Sequence, residues 1–187
     1  RTGIYFTEDS VVYSFGVTKL EVTSHEMELP VKIMGAPVKE ERSFKVEVVT
    51  DKTTAKAGEH YIMPTELIIK ADSVNGVLPV TVLREDLGSD TYWQVAFRLV
   101  STDDFEPENE ILTVAIASFN NIVEPPQWKD WQGNLTWPNY KLGVWDPVKW
   151  VKFMEYFQAM EQSAPATYKG MVEMYGPDLE KVQYGWM

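Results

Sequence analysis

Apolar residues fall at every second position through most of residues 1–124. Met27, Leu29, Val31 and Ile33 alternate with Glu26, Glu28, Pro30 and Lys32. Phe44, Val46 and Val48 alternate with Lys45 and Glu47, and Leu78, Val80 and Val82 run ahead of Arg84. Val95, Phe97 and Leu99 bracket Ala96 and Arg98, and Leu112, Val114 and Ile116 close the series. A period of two sends one set of side chains to a core and the other to water, so each run predicts a half-buried strand. Turn-formers separate the runs: Gly35-Ala36-Pro37, Asn75-Gly76, Gly88-Ser89-Asp90 and Asp103-Asp104. Short strands punctuated in this way predict a mainly β chain folded as an antiparallel sandwich, not a doubly wound sheet. Asn75-Gly76, between Ile68-Ile69 and Leu78, predicts a hairpin. Pro30 has no donor for a ladder, which predicts an edge strand or a bulge.

After Glu124 the pattern changes. Residues 125–146 set Trp128, Trp131, Trp137, Tyr140 and Trp145 among three prolines and two glycines, a loop composition carrying core-sized side chains. Asp146 offers an N-cap and Pro147 suits the first helical position. Val148, Trp150, Val151, Met154 and Phe157 then recur at helical spacing, while Lys149, Lys152 and Glu155 face elsewhere. Ser163 with Pro165 predicts a second start. Tyr168, Met171, Val172 and Tyr175 form the apolar stripe of that helix up to Gly176-Pro177. Two short helices are marginal alone and need a surface to pack on. The chain therefore divides into a sandwich over 1–124 and, over 125–187, a Trp/Pro-rich linker with a small α-helical subdomain packed on the sandwich.

Composition narrows the functional classes. The 187 residues hold no cysteine, which removes thiol catalysis and thiolate metal sites. Net charge is −11, and residues 1–124 carry 11 Lys/Arg against 21 Asp/Glu, while residues 125–187 carry 6 against 7. An acidic front half would repel phosphates, so nucleic acid is not an expected partner. No run approaches the roughly 20 apolar residues of a membrane span.

Candidate chemistry is sparse. The two histidines are His25, in a strand-like run, and His60, beside Tyr61. Neither has a nucleophile motif near it, and no zinc-helix, nucleophile-elbow or phosphate-loop spacing occurs. Acid-pair chemistry of the glycosidase kind has abundant Asp and Glu available, but no motif positions a pair. The reading is a non-enzyme with no catalytic residues. The acidic stretch Asp103-Asp104-Phe105-Glu106-Pro107-Glu108-Asn109-Glu110 offers oxygen ligands for calcium, with Asp103, Asp104 and Glu106 as the candidate metal ligands. The same stretch also reads as a solvated turn. The tryptophans read either as glue between helices and sandwich or as platforms for sugar rings. Trp131 and Trp137, beside Gly133 and Pro138, are the candidate glycan-binding residues. Asn134-Leu135-Thr136 fits a glycosylation sequon.

Two resemblances add to this reading. Thr54-Ala55-Lys56-Ala57-Gly58-Glu59-His60-Tyr61, followed by the acidic turn and the strand ending at Ile116, resembles the Calx-β pattern. That implies an immunoglobulin-like sandwich of a calcium-binding type. His60 departs from it, standing where an acidic residue is common, and Pro107 interrupts the acidic turn. The chain as a whole more closely resembles a Bacteroidetes family of predicted lipoproteins, domain-of-unknown-function family 4843. The residues that carry this are Ile4-Tyr5-Phe6, Ser101 with Asp103-Asp104-Phe105, Glu124-Pro125-Pro126-Gln127-Trp128, and Leu142-Gly143-Val144-Trp145 leading to Lys149. The resemblance implies an exported, outer-membrane lipid-anchored protein, its leader and anchoring cysteine expected ahead of Arg1. It also implies partners in the outer-membrane glycan-uptake machinery, or glycan itself, and no reaction or cofactor. The expected role is a binding or assembly component of polysaccharide uptake. The alternatives are a calcium-stabilised adhesion module and a carboxylate-dependent glycan hydrolase.

Overall fold

A computed structural model describes residues 1–108 and 112–184. Asn109, Glu110 and Ile111, and with them the end of the acidic stretch, lie outside the described residues, as does Trp186. The chain forms two units: Arg1–Phe15 with Val22–Ile122, and Gly16–Glu21 with Val123–Met187. The short segment 16–21 falls within the front half by its place in the sequence. It joins the second unit, where the Leu20 N–H donates to Glu155 Oε1 over 2.9 Å.

The first unit is a mainly β sandwich. Its strands are β1 (Thr2–Phe6), β2 (Ser10–Ser14), β3 (Ser24–Met34), β4 (Arg42–Val48), β5 (Tyr61–Ile62), β6 (Leu67–Ile69), β7 (Asn75–Leu83), β8 (Tyr92–Val100), β9 (Phe105–Pro107) and β10 (Val114–Asn120). One sheet runs β5-β7-β3-β1-β9 and the other β2-β10-β8-β4-β6. Pairing is antiparallel except at two edges, where β9 joins β1 and β2 joins β10 in parallel. The alternating runs point their apolar sets inward: Met27, Leu29, Val31 and Ile33 on β3, and Leu78, Val80 and Val82 on β7, are all buried. Six phenylalanines, including Phe6, Phe97 and Phe119, fill the space between the sheets.

Three local expectations are corrected. β3 is neither an edge strand nor bulged, for it lies between β7 and β1 in continuous register. The Thr7 N–H donates to the Pro30 carbonyl (3.0 Å), so the Pro30 nitrogen turns to the same side. β1 has already ended there at Phe6, so the missing donor falls where the ladder stops. Asn75-Gly76 is not a hairpin turn either: both residues open β7 opposite Lys32 and Val31, while β6 pairs with β4 in the other sheet. The chain turns earlier, at Asp72, whose φ is 58°. Gly76 answers to space, since a Cβ there would overlap Ile69 Cδ1 and meet Val31 Cγ2 at 3.0 Å. In β10 the buried set is Ala115, Ala117 and Phe119, and the larger Val114 and Ile116 face outward. Ala115 sits opposite Phe97 and Ala117 opposite Val95, so small residues on one strand accommodate large ones on the next.

The second unit holds α1 (Asn139–Leu142), α2 (Pro147–Ser163) and α3 (Pro165–Tyr175). Asp146 caps α2 as its sequence predicts, Oδ1 accepting from the N–H groups of Val148 (2.8 Å) and Lys149 (3.3 Å). Ser163 does not cap α3. It ends α2, its hydroxyl donating to the Ala159 carbonyl, and Ala164 takes the cap position without a side-chain bond. Trp128, Phe157 and Leu179 form a separate small core, with Met154, Tyr168, Met171, Val172 and Tyr175 packed around it. Val148, expected in the buried stripe, is exposed. No helix among the described residues is long and apolar enough to cross a membrane.

Candidate functional site

Trp131 stands on a loop that the chain closes tightly. Lys129 and Leu135 bridge its base as an antiparallel pair. Inside the loop, Asp130 Oδ1 accepts from the N–H groups of Gln132 and Asn134, both at 2.9 Å. The Gly133 N–H donates to the Asp130 carbonyl (3.0 Å), with Gly133 at φ 84°, a left-handed value that suits glycine. These hydrogen bonds, led by that from Asn134 N–H, hold the Asp130 carboxyl below its ordinary range. Asp130 is therefore spent on shaping the loop. The C-terminal strap holds the base: the Lys129 N–H donates to the Val182 carbonyl, and the Tyr184 hydroxyl to the Thr136 carbonyl (2.8 Å). The result presents Trp131, 56% exposed, beside the exposed amides of Gln132 and Asn134.

Trp137 is placed differently. Its ring stacks on buried Trp128 at 5.4 Å and meets Trp145 edge-on at 4.9 Å, and its Nε1–H donates to the Gly143 carbonyl (2.8 Å). Trp145 touches Trp150 at 5.9 Å, and Trp150 stacks on Phe153 at 5.5 Å. Trp128, Trp137, Trp145 and Trp150 are thus joined by ring contacts around the small core. Trp131 and Trp137, offered together as sugar platforms, play separate parts: Trp131 points to solvent and Trp137 keeps only part of its ring there.

The acidic turn is partly committed to the sandwich. Phe105 is fully buried, which turns its neighbours Asp104 and Glu106 outward. Glu106 Oε1 accepts from the Ser101 hydroxyl (2.7 Å) and Oε2 from Arg1 Nη1. The Ser101 hydrogen bond first, then Arg1, hold the Glu106 carboxyl below its ordinary range. Asp103 and Asp104 are exposed. Among the described residues, no three His, Asp or Glu side chains come together as a metal would require.

Both histidines have structural partners. His60 is 1% exposed, its Nδ1 accepts from the Lys56 N–H (2.9 Å), and its ring lies 4.0 Å from that of Trp93. His25 stacks on Tyr13 at 3.6 Å. Sequence reasoning missed another buried polar group besides His60, Arg84. Its Nε donates to Asn121 Oδ1 (3.1 Å), Nη1 to the Val22 carbonyl (3.0 Å) and Nη2 to the Phe15 carbonyl (3.1 Å). The available signal was a cation closing the buried run Leu78–Val82.

The model of the family described as Domain of unknown function (DUF4843) matches residues 1–156. No curated protein matches the chain. Among solved structures, the chain is similar to the apo form of the Calx CBD1 domain, at 15% identity and TM-score 0.46, over 64% of this chain and 96% of that one. It is also similar to a proposed carbohydrate-binding protein from Bacteroides ovatus ATCC 8483, at 14% identity and TM-score 0.46, over 65% of this chain and 38% of that one. A third likeness is to a Bacteroides ovatus protein of unknown function, at 14% identity and TM-score 0.46, over 62% of this chain and 43% of that one. The chain thus spans less than half the length of the two Bacteroides ovatus proteins.

Proposed function

We propose a binding role for this chain, which belongs to the DUF4843 family of domains of unknown function: a non-catalytic, lipid-anchored cell-envelope component of outer-membrane polysaccharide uptake in Bacteroidetes. In this reading it engages glycan or the proteins that import it, and Trp131 is the sugar platform. The observation that carries the reading is the geometry of loop 129–135. An exposed indole sits at the tip of a loop already ordered by Asp130, so a sugar ring could stack on it at little further entropic cost. The Asn134 side-chain amide donates to Asp130 Oδ2 and to Gln132 Oε1 (both 3.4 Å), which leaves the exposed Gln132 NH2 group beside the indole as the donor offered to hydroxyl groups. The non-catalytic part is supported by how the polar side chains are used: Asp130 and Glu106 are engaged in internal hydrogen bonds, and both histidines are packed against aromatic rings.

Calorimetry against a panel of bacterial, plant and host polysaccharides tests the proposal. At least one glycan should bind, and Trp131→Ala should weaken it about ten-fold or more, consistent with a stacked aromatic contact of about 1.5 kcal/mol. Binding that survives Trp131→Ala unchanged would remove the loop from the site. Release of shortened glycan during incubation would overturn the non-catalytic reading.

A further inference from the structure

The strands β8 and β10 send a second set of side chains to the outer face of their sheet. Tyr92 and Gln94 alternate with Trp93 and buried Val95, and Ser118 and Asn120 alternate with buried Ala117 and Phe119. Register places Asn120 opposite Tyr92 and Ser118 opposite Gln94, and β2 adds Val12 beside Ser118. Side chains directly opposite on neighbouring strands start about 5 Å apart on one face, so these residues form a single patch. Tyr92 is 70% exposed, and its side chain makes no hydrogen bond or ring contact among the described residues. Asn120 is only 8% exposed, and its amide is held in one orientation. Its Oδ1 accepts from the Ser14 hydroxyl (2.8 Å) and from the Ile122 N–H (3.0 Å). A backbone N–H can only donate, so the acceptor end of the amide is fixed there. The Nδ2 group is left open to solvent and without a partner among the described residues. Gln94 is fixed in the opposite sense: its Nε2 donates to the Lys52 carbonyl (2.8 Å), which leaves Oε1 as an acceptor.

We propose that this patch binds the ring of a neutral saccharide. The sugar's apolar face stacks on Tyr92, one hydroxyl accepts from Asn120 Nδ2, and a neighbouring hydroxyl donates to Gln94 Oε1. Three features select this ligand. An exposed aromatic ring beside one fixed donor and one fixed acceptor matches a sugar, whose hydroxyls both give and take a hydrogen bond. Asn120 and Gln94 are already held by their own bonds, so little side-chain freedom is lost on binding. The patch itself holds no charged side chain, and on the same face Arg98 and Glu47 are closed on each other (3.3 Å). A phosphate, sulfate or uronate would therefore find no cation here, on a chain of net charge −11. An apolar surface would cover the Asn120 donor without satisfying it. The inference goes beyond the glycan reading of loop 129–135, since it uses residues of the first unit alone and either site can hold without the other.

Chemical-shift mapping by nuclear magnetic resonance on residues 1–187 tests it. Oligosaccharides of dextran, laminarin and galactomannan serve as neutral probes, and polygalacturonate oligomers as the anionic control. At least one neutral probe should shift the Asn120 side-chain amide and Tyr92 together, and polygalacturonate should shift neither. Tyr92→Ala should weaken binding of that probe about ten-fold, while Tyr92→Phe, which keeps the ring, should change it by no more than about two-fold. Asn120→Asp keeps an acceptor for Ser14 and Ile122 but removes the donor, and should weaken binding about five-fold. Unchanged dispersion of the spectra establishes that each variant folds, and the exposed Tyr92 variants keep the test decisive if Asn120→Asp does not fold. No shift in the patch with any neutral probe overturns the proposal. So does equal binding of polygalacturonate, or binding that Tyr92→Ala leaves unchanged. Shifts at Tyr92 and Asn120 that persist in Trp131→Ala support this site whatever becomes of the loop. Shifts confined to loop 129–135 keep the glycan reading and overturn this one.

Discussion

Replacing Arg84 with methionine should destabilise the sandwich by about 3–4 kcal/mol. The Arg84 guanidinium gathers oxygens from Phe15, Val22 and Asn121. Phe15 and Val22 flank the segment that leaves the sandwich unit, and Asn121 lies one residue before that unit ends. One side chain therefore ties three strand-end segments that the chain topology alone leaves loose. A hydrogen bond from a charged donor contributes about 1.5–3 kcal/mol, and an acceptor left buried without a donor costs about 1–3 kcal/mol. Methionine relieves the desolvation of the guanidinium and keeps part of its packing over the Phe15 ring, 5.5 Å away, which offsets part of the loss. Arg84→Lys should lose about half as much, because one ammonium cannot span three acceptors held by a planar fork. Amide hydrogen exchange of β3, β7 and β8 as urea is raised reads the sandwich directly. Tryptophan emission does not, since six of the seven tryptophans lie after residue 124. A loss below about 1 kcal/mol in Arg84→Met would refute the clamp, leaving Arg84 with the weight of an ordinary surface substitution.

Gly76→Ala should cost about 1–3 kcal/mol through overpacking against Ile69 and Val31, and thermal unfolding checks it. A neutral result would mean that Ile69 can move aside. Asp146→Ala should remove about 1 kcal/mol from the helical unit, read as a lower midpoint by tryptophan emission and restored in Asp146→Ser. Acid should destabilise both units. Glu106 and Glu155 are held below their ordinary value of 4.5, and Asp130 below 3.8. Groups lowered in the folded state give their full stabilisation above the unfolded value and lose it as pH falls through the folded one. Melting temperature should therefore drop below about pH 4.5, and Glu106→Gln should flatten that drop in the sandwich transition. An acid slope unchanged by the substitution would show that the Ser101 and Arg1 contacts carry no linkage.

Strand positions were legible because a half-buried strand repeats every two residues whatever surrounds it. The β3 and β7 runs, and the Asp146-Pro147 helix start, needed no tertiary information. The errors came where one local signal serves two physical purposes. Asn-Gly marks a turn when its backbone is free, but Gly76 exists because Ile69 packs over it. Proline marks an edge when its missing donor faces a neighbour, but at Pro30 the neighbouring strand has ended. Serine before proline marks a cap, but Ser163 bonds back into its own helix. In the candidate site, the tryptophan density was visible in the sequence and its division of labour was not. Trp131 and Trp137 sit in similar Gly- and Pro-bearing contexts, and the contacts of Trp137 with Trp128, Trp145 and the Gly143 carbonyl separate them.

By itself, the amino-acid sequence determined the class of the protein: alternating strands for a sandwich, an aromatic linker, two helices, an acidic front and no thiol chemistry. Each of these depends on composition or on contacts within a few residues. Tertiary structure alone decided which strands pair across the two sheets, where segment 16–21 belongs, what Arg84 holds, and which indole meets water. Those outcomes depend on groups brought together from distant parts of the chain, and side-chain periodicity carries no record of what lies opposite. The exposed face of α2 shows the difference plainly. Its residues were readable as a helix, but which of its two apolar sides would be buried was settled only by the core that Trp128, Phe157 and Leu179 build beneath it.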